Sequence, residues 1–443
     1  MNKRAGDVIW IGLALFAMFF GAGNLIFPPF LGFIAGTSWS IAMIGFLITG
    51  IGMPLLGIMA SSRAGGTVEH LAGRVSPLFG RILSIVIILA IGPLLAIPRT
   101  AATTFEMGVR PNIPSADAAI SSLVYFAITL FFAFNRKKVV DEIGKILTPF
   151  LVVTLALIIL KGVFSPLGEI SGGGLTNAFG RGFREGYQTM DAMASVVFAE
   201  IIIAAMIFKG YSQTSDQVKM TSLAGLVSAI GLGLVYGGLM YLGASSVRLF
   251  PRDIERTDLL IRITQGLLGG TGKIILGLAV ALACLTTSIG LTATVGDYFS
   301  TLSKGKLGYK GICLVTCVFS AVFATVGVTK IVKVAVPLLV TVYPLVIVLV
   351  ILTIAGRLVK SRAIYIGAVI GALATSLFDA LTAAGVPISS INQLILNIPF
   401  AKSGFPWVLP ALAGGIIGAI VSRAGVGGQV GPPHSEPPSI AGD

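Results

Sequence analysis

The sequence predicts an all-α polytopic membrane protein, and three observations support that fold class. Apolar residues make up 55% of the 443-residue chain, whereas charged residues make up 11%. A soluble domain usually carries about 25% charged residues, so this chain has too few charges to cover a soluble body of its size. The other two observations are a mean hydropathy of +0.96 and a series of long uncharged runs. Intrinsic disorder is excluded, because it requires low hydrophobicity and high charge.

Twelve transmembrane helices are predicted from these runs. No Asp, Glu, Lys or Arg lies between Val8 and Ser62. Since about 20 helical residues cross a bilayer, this stretch holds two helices with a turn near residues 36–38. The boundary between the ninth and tenth spans is placed at Lys330 to Lys333. The predicted spans are 8–34, 39–62, 78–104, 118–135, 143–162, 188–208, 219–247, 272–299, 311–329, 331–355, 363–384 and 405–423.

The loop charges predict how the chain is oriented. An even number of spans places both termini on one side of the membrane. More than half of the 31 Lys and Arg residues fall in segments on the N-terminal side, which predicts cytoplasmic N- and C-termini. Residues 1–423 are predicted to form a single transmembrane domain, and the Gly- and Pro-rich tail 424–443 is predicted to be disordered.

Several function classes are disfavoured by the pattern of charged and reactive residues. The net charge is +13, but the basic residues stand singly between apolar runs and form no stripe typical of nucleic-acid binding. The three Cys and two His residues show no metal-ligand spacing. The spans contain no nucleophile–base pair, so we expect no enzyme. We also expect no cofactor, no nucleic-acid partner and no obligate protein partner, with membrane lipid surrounding the chain.

The first span contains its own interruption. Gly21, Gly23 and Asn24 lie in its middle, and Pro28 and Pro29 follow them. Glycine leaves helical angles easily, and proline cannot donate a backbone hydrogen bond. Broken backbone at bilayer depth is tolerated only where protein or a wet cavity satisfies it, so the pattern predicts a cavity. The alternative is a small-residue contact with a proline kink.

The sixth span carries an acid near its start, Asp191, and a second acid at Glu200. A carboxylate inside a span costs at least about 2.5 kcal/mol and usually has a functional role. Asp191 is therefore a candidate partner for a substrate ammonium group or a cation. The alternative is a helix N-cap at the membrane interface. Glu200 is a weaker candidate, as a proton carrier or a partner of Lys209.

The eighth span contains three consecutive hydroxyl residues, from Thr286 to Ser288. Such oxygen atoms suit sodium, a hard cation that prefers oxygen ligands. Alternatively, each hydroxyl donates to the carbonyl of the preceding turn. The interrupted spans are the first and the sixth, which is the spacing of a five-plus-five inverted repeat. Repeat one is predicted at about 8–162 and repeat two at about 188–355, with extra helices at about 363–423.

Three segments carry a family resemblance: the opening from Asp7 to Gly32, the Thr-Met-Asp-Ala run at 189–192 and the Leu-Thr-Thr-Ser-Ile-Gly run at 285–290. In these segments the chain resembles the branched-chain amino acid:cation symporter (BrnQ) family. This resemblance implies a LeuT-type fold, a bacterial inner membrane, and import of leucine, isoleucine and valine driven by sodium.

The resemblance also implies roles for individual residues, by similarity to the sodium-coupled neurotransmitter symporters. The implied substrate site consists of Gly21, Ala22, Gly23, Asn24, Met190, Asp191, Met193, Ser195, Val196 and Leu291. One implied sodium site consists of the carbonyls of Ala17, Phe20 and Ala283 and the hydroxyls of Thr286 and Thr287. Another implied sodium site uses Phe19 and Asn24.

The sequence thus favours a sodium-coupled importer of aliphatic amino acids. A proton-coupled carrier on the same fold, with Asp191 or Glu200 as relay, is the first alternative. An ion channel is a second alternative, although the spans show no ring of charge that would line a pore.

Overall fold

The chain folds into helices joined by short turns and loops. A computed structural model describes residues 3–134, 139–172, 174–211, 213–356, 359 and 361–424. The predicted disordered tail therefore lies outside the described residues, except for residue 424.

The helices divide at the long loop after residue 164. Those before it are α1 (Lys3–Phe19), α2 (Ala22–Ala35), α3 (Trp39–Leu47), α4 (Met53–Ala64), α5 (Val68–Gly73), α6 (Pro77–Leu89), α7 (Ala96–Thr104), α8 (Ala118–Phe134) and α9 (Val139–Phe164). Those after it are α10 (Ala178–Tyr187), α11 (Asp191–Phe208), α12 (Thr214–Ala244), α13 (Arg256–Leu302), α14 (Tyr309–Ala324), α15 (Val328–Ala355), α16 (Arg362–Ala383), α17 (Ser389–Leu396) and α18 (Val408–Arg423).

Within the described residues, six helical stretches are long and apolar enough to cross a membrane. They are Ala22–Ala64, Pro77–Val109, Ser215–Ala244, Arg256–Leu302, Val328–Ala355 and Arg362–Ala383. Four shorter apolar helices are Ala118–Phe134, Pro149–Phe164, Tyr309–Ala324 and Val408–Arg423. The twelve-span count and the five-plus-five repeat stay predictions.

The predicted boundary between the ninth and tenth spans is wrong. α14 ends at Ala324 and α15 begins at Val328, so the turn precedes Lys330 and Lys333 instead of containing them. Gly327 ends the turn with a φ of 87°, a conformation that glycine adopts without strain. Both lysines lie exposed on the first turns of α15, where their long stems let the ammonium groups reach polar surroundings.

The third span contains a kink that the sequence analysis did not predict. Gly92 has a ψ of −125° inside the π-helical turn Ala90–Leu94, and Pro93 follows it. Proline cannot donate its backbone amide, so the hydrogen-bond ladder is interrupted there. The chain resumes a regular helix at Ala96, the start of α7.

Helices α2 and α12 meet at two glycines. A carbon atom added at Gly32 would overlap the carbonyl of Met240, and one added at Gly243 would overlap the carbonyl of Pro29. The two backbones are therefore in direct contact, as in small-residue interfaces of membrane helices. This contact fixes α2, which begins with Ala22, Gly23 and Asn24, against α12.

Replacing Gly243 with Ala is expected to lower the free energy of unfolding by about 1–3 kcal/mol, because the added methyl group meets backbone that cannot rotate away. The measurement is thermal unfolding of the detergent-purified protein. The matched control is Gly311→Ala in α14, where nothing lies within 4 Å of the added carbon. That control is expected to be neutral or to stabilise by up to about 1 kcal/mol. Equal effects of the two substitutions would contradict the proposed helix contact.

Candidate functional site

The predicted interruption of the first span is present between α1 and α2. α1 ends at Phe19, Gly21 has an extended conformation with φ −128° and ψ −168°, and α2 begins at Ala22. The Gly21 amide donates to Asn24 Oδ1 at 3.0 Å, and the Asn24 amide donates to the Gly21 carbonyl at 3.1 Å. A helix start leaves its first amides without intrahelical partners, and a helix end does the same to its last carbonyls. The break therefore presents donors and acceptors side by side.

Pro28 and Pro29 do not form this break, contrary to the sequence interpretation. Both lie within α2, and the chain leaves the helix before Ala22. The interruption instead lies at Gly21, which adopts the extended conformation between the two helices.

A second break lies in the sixth span, between α10 and α11. α10 ends at Tyr187, and Met190 has a φ of 65°, which is rare for a residue other than glycine. α11 then begins at Asp191. Strained backbone of this kind persists only where the surroundings hold it in place, and Met190 is accordingly buried.

Asn24 joins the two breaks. Its side-chain amide donates to Asp191 Oδ2 at 2.7 Å and to the hydroxyl of Tyr236 on α12. All three side chains are buried, with Asp191 5% exposed. Asp191 is therefore buried among the helices at the start of α11, and the network ties α2, α11 and α12 together.

A cavity opens between the two breaks. Its volume is about 40 Å³ in this conformation. The sequence-predicted residues that line it are Phe19, Gly21, Ala22, Gly23, Asn24, Met190, Asp191, Thr287 and Leu291. The other lining residues are Met18, Ile91, Ala96, Arg99, Thr100, Thr189, Ala194 and Phe198. The surface is thus apolar with one acid, one base and a helix start.

Arg99 is the charged lining residue that the sequence did not indicate. It lies on α7, is 3% exposed, and donates to the Gln188 carbonyl at 2.5 Å and to the Thr189 carbonyl at 3.5 Å. The available signal was its position inside the predicted span 78–104, because an ionisable residue at membrane depth indicates a functional site. Tyr236 was also missed, since a single Tyr in an apolar run carries no pattern.

Three predicted sixth-span residues are buried outside the cavity lining. Ser195 and Val196 face Gly57 of α4, and the Ser195 hydroxyl donates to the Ala192 carbonyl at 2.8 Å. Met193 is fully buried. A helix presents successive residues to different neighbours, so only part of the predicted run faces the cavity. Glu200 is exposed and also lies outside the lining.

The predicted hydroxyl pair lies at the edge of the cavity. Thr286 and Thr287 both donate to the Ala283 carbonyl, at 2.9 and 3.0 Å, as the back-bonding alternative requires. These three oxygens are nevertheless clustered, and the Thr287 side chain lies across from Gly21. Ala17 lies in the last turn of α1, and Phe20 follows it. The Gly21 amide that would otherwise close on the Ala17 carbonyl donates to Asn24 instead.

The other predicted cation site contains Phe19 and Asn24. Asn24 Oδ1 already accepts the Gly21 amide, and its amide nitrogen donates to Asp191 and Tyr236. The side chain that would bind a cation is therefore engaged in connecting the two breaks.

An ion-pair cluster surrounds the buried carboxyl group of Glu185. Glu185 on α10 contacts Arg256 of α13 and Arg181, each at 2.8 Å. The Arg256 guanidinium also lies over the rings of Phe27 and Phe30, at 5.0 and 4.3 Å. The cluster therefore joins α10 and α13 to the helix that carries the first break.

Replacing Glu185 with Gln is expected to weaken this cluster. The amide keeps the size of the side chain but removes the negative charge that faces Arg256 and Arg181. Because the Arg256 guanidinium then lacks its ionic partner, Glu185→Gln is expected to destabilise the protein by about 3–5 kcal/mol.

Thermal unfolding of the detergent-purified protein measures this loss of stability. Glu169→Gln is the control, because Glu169 is exposed. Equal stability of Glu185→Gln and the wild type would contradict the ion-pair assignment.

The family of the chain is decided by comparison with known proteins. A family model described as "Branched-chain amino acid transport protein" matches residues 4–425. The chain belongs to this family. One relative is the branched-chain amino acid permease BrnQ of Bacillus subtilis (strain 168), 41% identical over 95% of this chain and 98% of its own. Another is the permease BraB of the same organism, 40% identical over 94% of this chain and 95% of its own. The "branched-chain amino acid transport system 2 carrier protein" of Pseudomonas aeruginosa is 36% identical over 95% of this chain and 97% of its own.

Two solved structures share the fold of this family member. The inward-facing conformation of Mhp1 gives a TM-score of 0.59 at 13% identity, covering 94% of this chain and 91% of Mhp1. MhsT in complex with L-phenylalanine gives a TM-score of 0.55 at 16% identity, and the match covers 94% of this chain and 98% of MhsT. The fold is therefore that of LeuT-type transporters, and the chain is a multi-pass membrane protein.

Proposed function

We propose that this family member imports leucine, isoleucine and valine by secondary active transport coupled to sodium. The observation that carries the proposal is the cavity between two helix breaks, where an acid, a base and a helix start face apolar side chains. An amino acid with an aliphatic side chain offers matching groups. The relatives are named as branched-chain amino acid permeases and carriers, which favours the same substrates.

The substrate carboxylate is proposed to bind at the start of α2. Gly21, Ala22 and Gly23 line the cavity at this point. The first amides of a helix lack intrahelical partners and carry the positive end of the helix dipole, so they attract an anion.

The substrate ammonium is proposed to bind Asp191. Its carboxyl group lies on the opposite break, and Oδ2 accepts from Asn24 at 2.7 Å. A carboxylate has about four acceptor sites, so this bond leaves room for an ammonium donor. The aliphatic side chain would then lie against Met18, Ile91, Phe198 and Leu291.

Sodium is proposed to bind between α1 and α13. The carbonyls of Ala17, Phe20 and Ala283 and the hydroxyls of Thr286 and Thr287 are the proposed ligands. Sodium at this position would connect the two helices in one conformation and not in the other. A ligand that shifts a population from 1:99 to 99:1 needs about 5.5 kcal/mol of preference, which is the scale required of this site. Alternating access follows from this differential binding.

The membrane arrangement is part of the same proposal. Twelve spans would contain two inverted repeats of five, at about 8–162 and 188–355, with two further helices. The chain would lie in a bacterial inner membrane with both termini in the cytoplasm, and we propose no protein partner for transport.

Proton coupling is the alternative that a specific observation favours. Asp191 is a buried carboxyl group at the centre of the site, a suitable place for a proton relay. Glu200 is less suitable, because it does not line the cavity.

Uptake of radiolabelled leucine into proteoliposomes tests the proposal. We expect accumulation when an inward sodium gradient is imposed at equal pH, and none with a pH gradient in sodium-free buffer. The reverse result would establish the proton-coupled alternative. Leucine flux without any gradient-driven accumulation would contradict both forms of active transport.

A further inference from the structure

Arg99 lies where the two helix breaks approach each other. A charged side chain at membrane depth is costly and is usually paired or functional. Arg99 is 3% exposed, and its guanidinium donates to the Gln188 and Thr189 carbonyls. These carbonyls belong to the residues between α10 and α11. The arginine therefore binds the acceptors that the sixth-span break makes available.

The same guanidinium faces the start of α2. A carbon atom added at Gly23 would lie 2.9 Å from Arg99 Nη2, so the absence of a side chain at Gly23 leaves the space for the arginine. The guanidinium also lies over the ring of Phe27, with 5.4 Å between its central carbon and the ring centroid. Both contacts place its positive charge beside the amides proposed to receive the substrate carboxylate.

The Nε donor of Arg99 points to an additional ligand. Among the described residues, the buried Arg99 Nε has no hydrogen-bond partner. Leaving a buried donor unpaired is unfavourable, and arginine is suited to bind a carboxylate through two parallel hydrogen bonds. Asp191 accepts a hydrogen bond from Asn24, whereas Arg99 donates to backbone carbonyls of the sixth-span break. The acid and the base of the cavity are therefore held by different partners.

A sodium ion at Phe19 and Asn24 would lie beside the sixth-span break, because Asn24 contacts Asp191. Arg99 already donates to two carbonyls of that break. A sodium ion in the same place would also meet the positive guanidinium at short range. Arginine stays protonated under all ordinary conditions, so its charge is permanent.

We propose that Arg99 is a built-in cation that replaces the Phe19–Asn24 sodium ion and binds the substrate carboxylate. This inference rests on the proposed function and adds a residue to its substrate site. Transport then needs one sodium ion per leucine, at Ala17, Phe20, Ala283, Thr286 and Thr287. The sodium ion that the family resemblance implied at Phe19 and Asn24 is not part of this proposal.

The proposed contact pairs the Arg99 guanidinium with the substrate carboxylate. Removing either charged group should therefore lower the affinity by a similar factor. The probes are leucine and leucinol, which has a hydroxymethyl group in place of the carboxylate. Each is used as a competitor of radiolabelled leucine, for binding to detergent-purified protein and for uptake into proteoliposomes. The wild type should prefer leucine over leucinol by about 10- to 100-fold, the range of a hydrogen bond to a charged group. Arg99→Gln should reduce this preference to less than about threefold.

Arg110→Gln is the matched control, because Arg110 forms an exposed pair with Asp258. It should keep the wild-type preference. A wild-type protein without leucine uptake would refute the proposed function itself. Normal uptake with an unchanged preference in Arg99→Gln would refute the role of Arg99 alone.

The sodium dependence of the wild type provides a second measurement if Arg99→Gln does not fold. One sodium ion per leucine, with a Hill coefficient near 1, supports the replacement of a sodium ion by Arg99. Two sodium ions per leucine would overturn it.

Discussion

Replacing Asp191 with Asn is expected to lower leucine uptake by at least about 100-fold. The amide side chain would keep the size of the carboxylate and could still accept from Asn24, but it would lose the negative charge. Removing one partner from a buried charge pair costs about 3–5 kcal/mol. About 1.4 kcal/mol corresponds to a tenfold change in affinity, so the loss amounts to 100-fold or more. The measurement is initial-rate uptake into proteoliposomes across leucine concentrations.

The control for this experiment is Asp216→Asn. Asp216 pairs with Arg4 at 3.6 Å, and the side chains are 41% and 55% exposed. Exposed pairs contribute about 0–1 kcal/mol, so this variant should transport normally. If Asp191→Asn were folded and took up leucine at the wild-type rate, the ammonium site would have to lie elsewhere.

The double substitution of Thr286 and Thr287 by Ala is expected to abolish sodium-stimulated uptake. Both hydroxyl oxygens lie within 3.0 Å of the Ala283 carbonyl, and Thr287 lines the cavity across from Gly21. Removing two of five proposed ligands should raise the half-saturating sodium concentration by more than about tenfold, so that no stimulation remains at the concentration that half-saturates the wild type. The measurement is leucine uptake against sodium concentration at constant ionic strength.

Thr294→Ala is the matched control for the hydroxyl pair. Thr294 lies on the same helix and donates to the Gly290 carbonyl at 2.8 Å, so it makes the same local bond. It does not line the cavity. Normal sodium dependence in the double variant would show that Thr286 and Thr287 serve only their own helix. An equal loss in Thr294→Ala would point to helix stability instead of sodium binding.

The interruption of the first span is the part of the site that local sequence specified best. Two glycines and an Asn within an apolar run indicate a break, because glycine adopts non-helical backbone angles at little steric cost. The structure ends α1 at Phe19 and caps the start of α2 with Asn24. The effect of Pro28 and Pro29 was overestimated, since both remain inside α2.

The sixth-span residues show where a linear pattern stops being informative. Asp191 was recognisable from its cost in a membrane span, whatever the exact helix boundary. Met193, Ser195 and Val196 could not be assigned to a face without the helix rotation. That rotation depends on contacts such as the one between Ser195 and Gly57 of α4.

The sequence by itself determined that this protein is helical and lies in a membrane, and that its first span is interrupted near Gly21, Gly23 and Asn24. Those properties follow from apolar run length and from backbone chemistry within a few residues. Only the tertiary structure decided that Asn24 joins Asp191 and Tyr236, and that Arg99 reaches the Gln188 carbonyl. Such contacts join residues on separate helices, and their geometry depends on how close the backbones approach. That approach is set by helix contacts such as Gly32 against Met240 and Gly243 against Pro29.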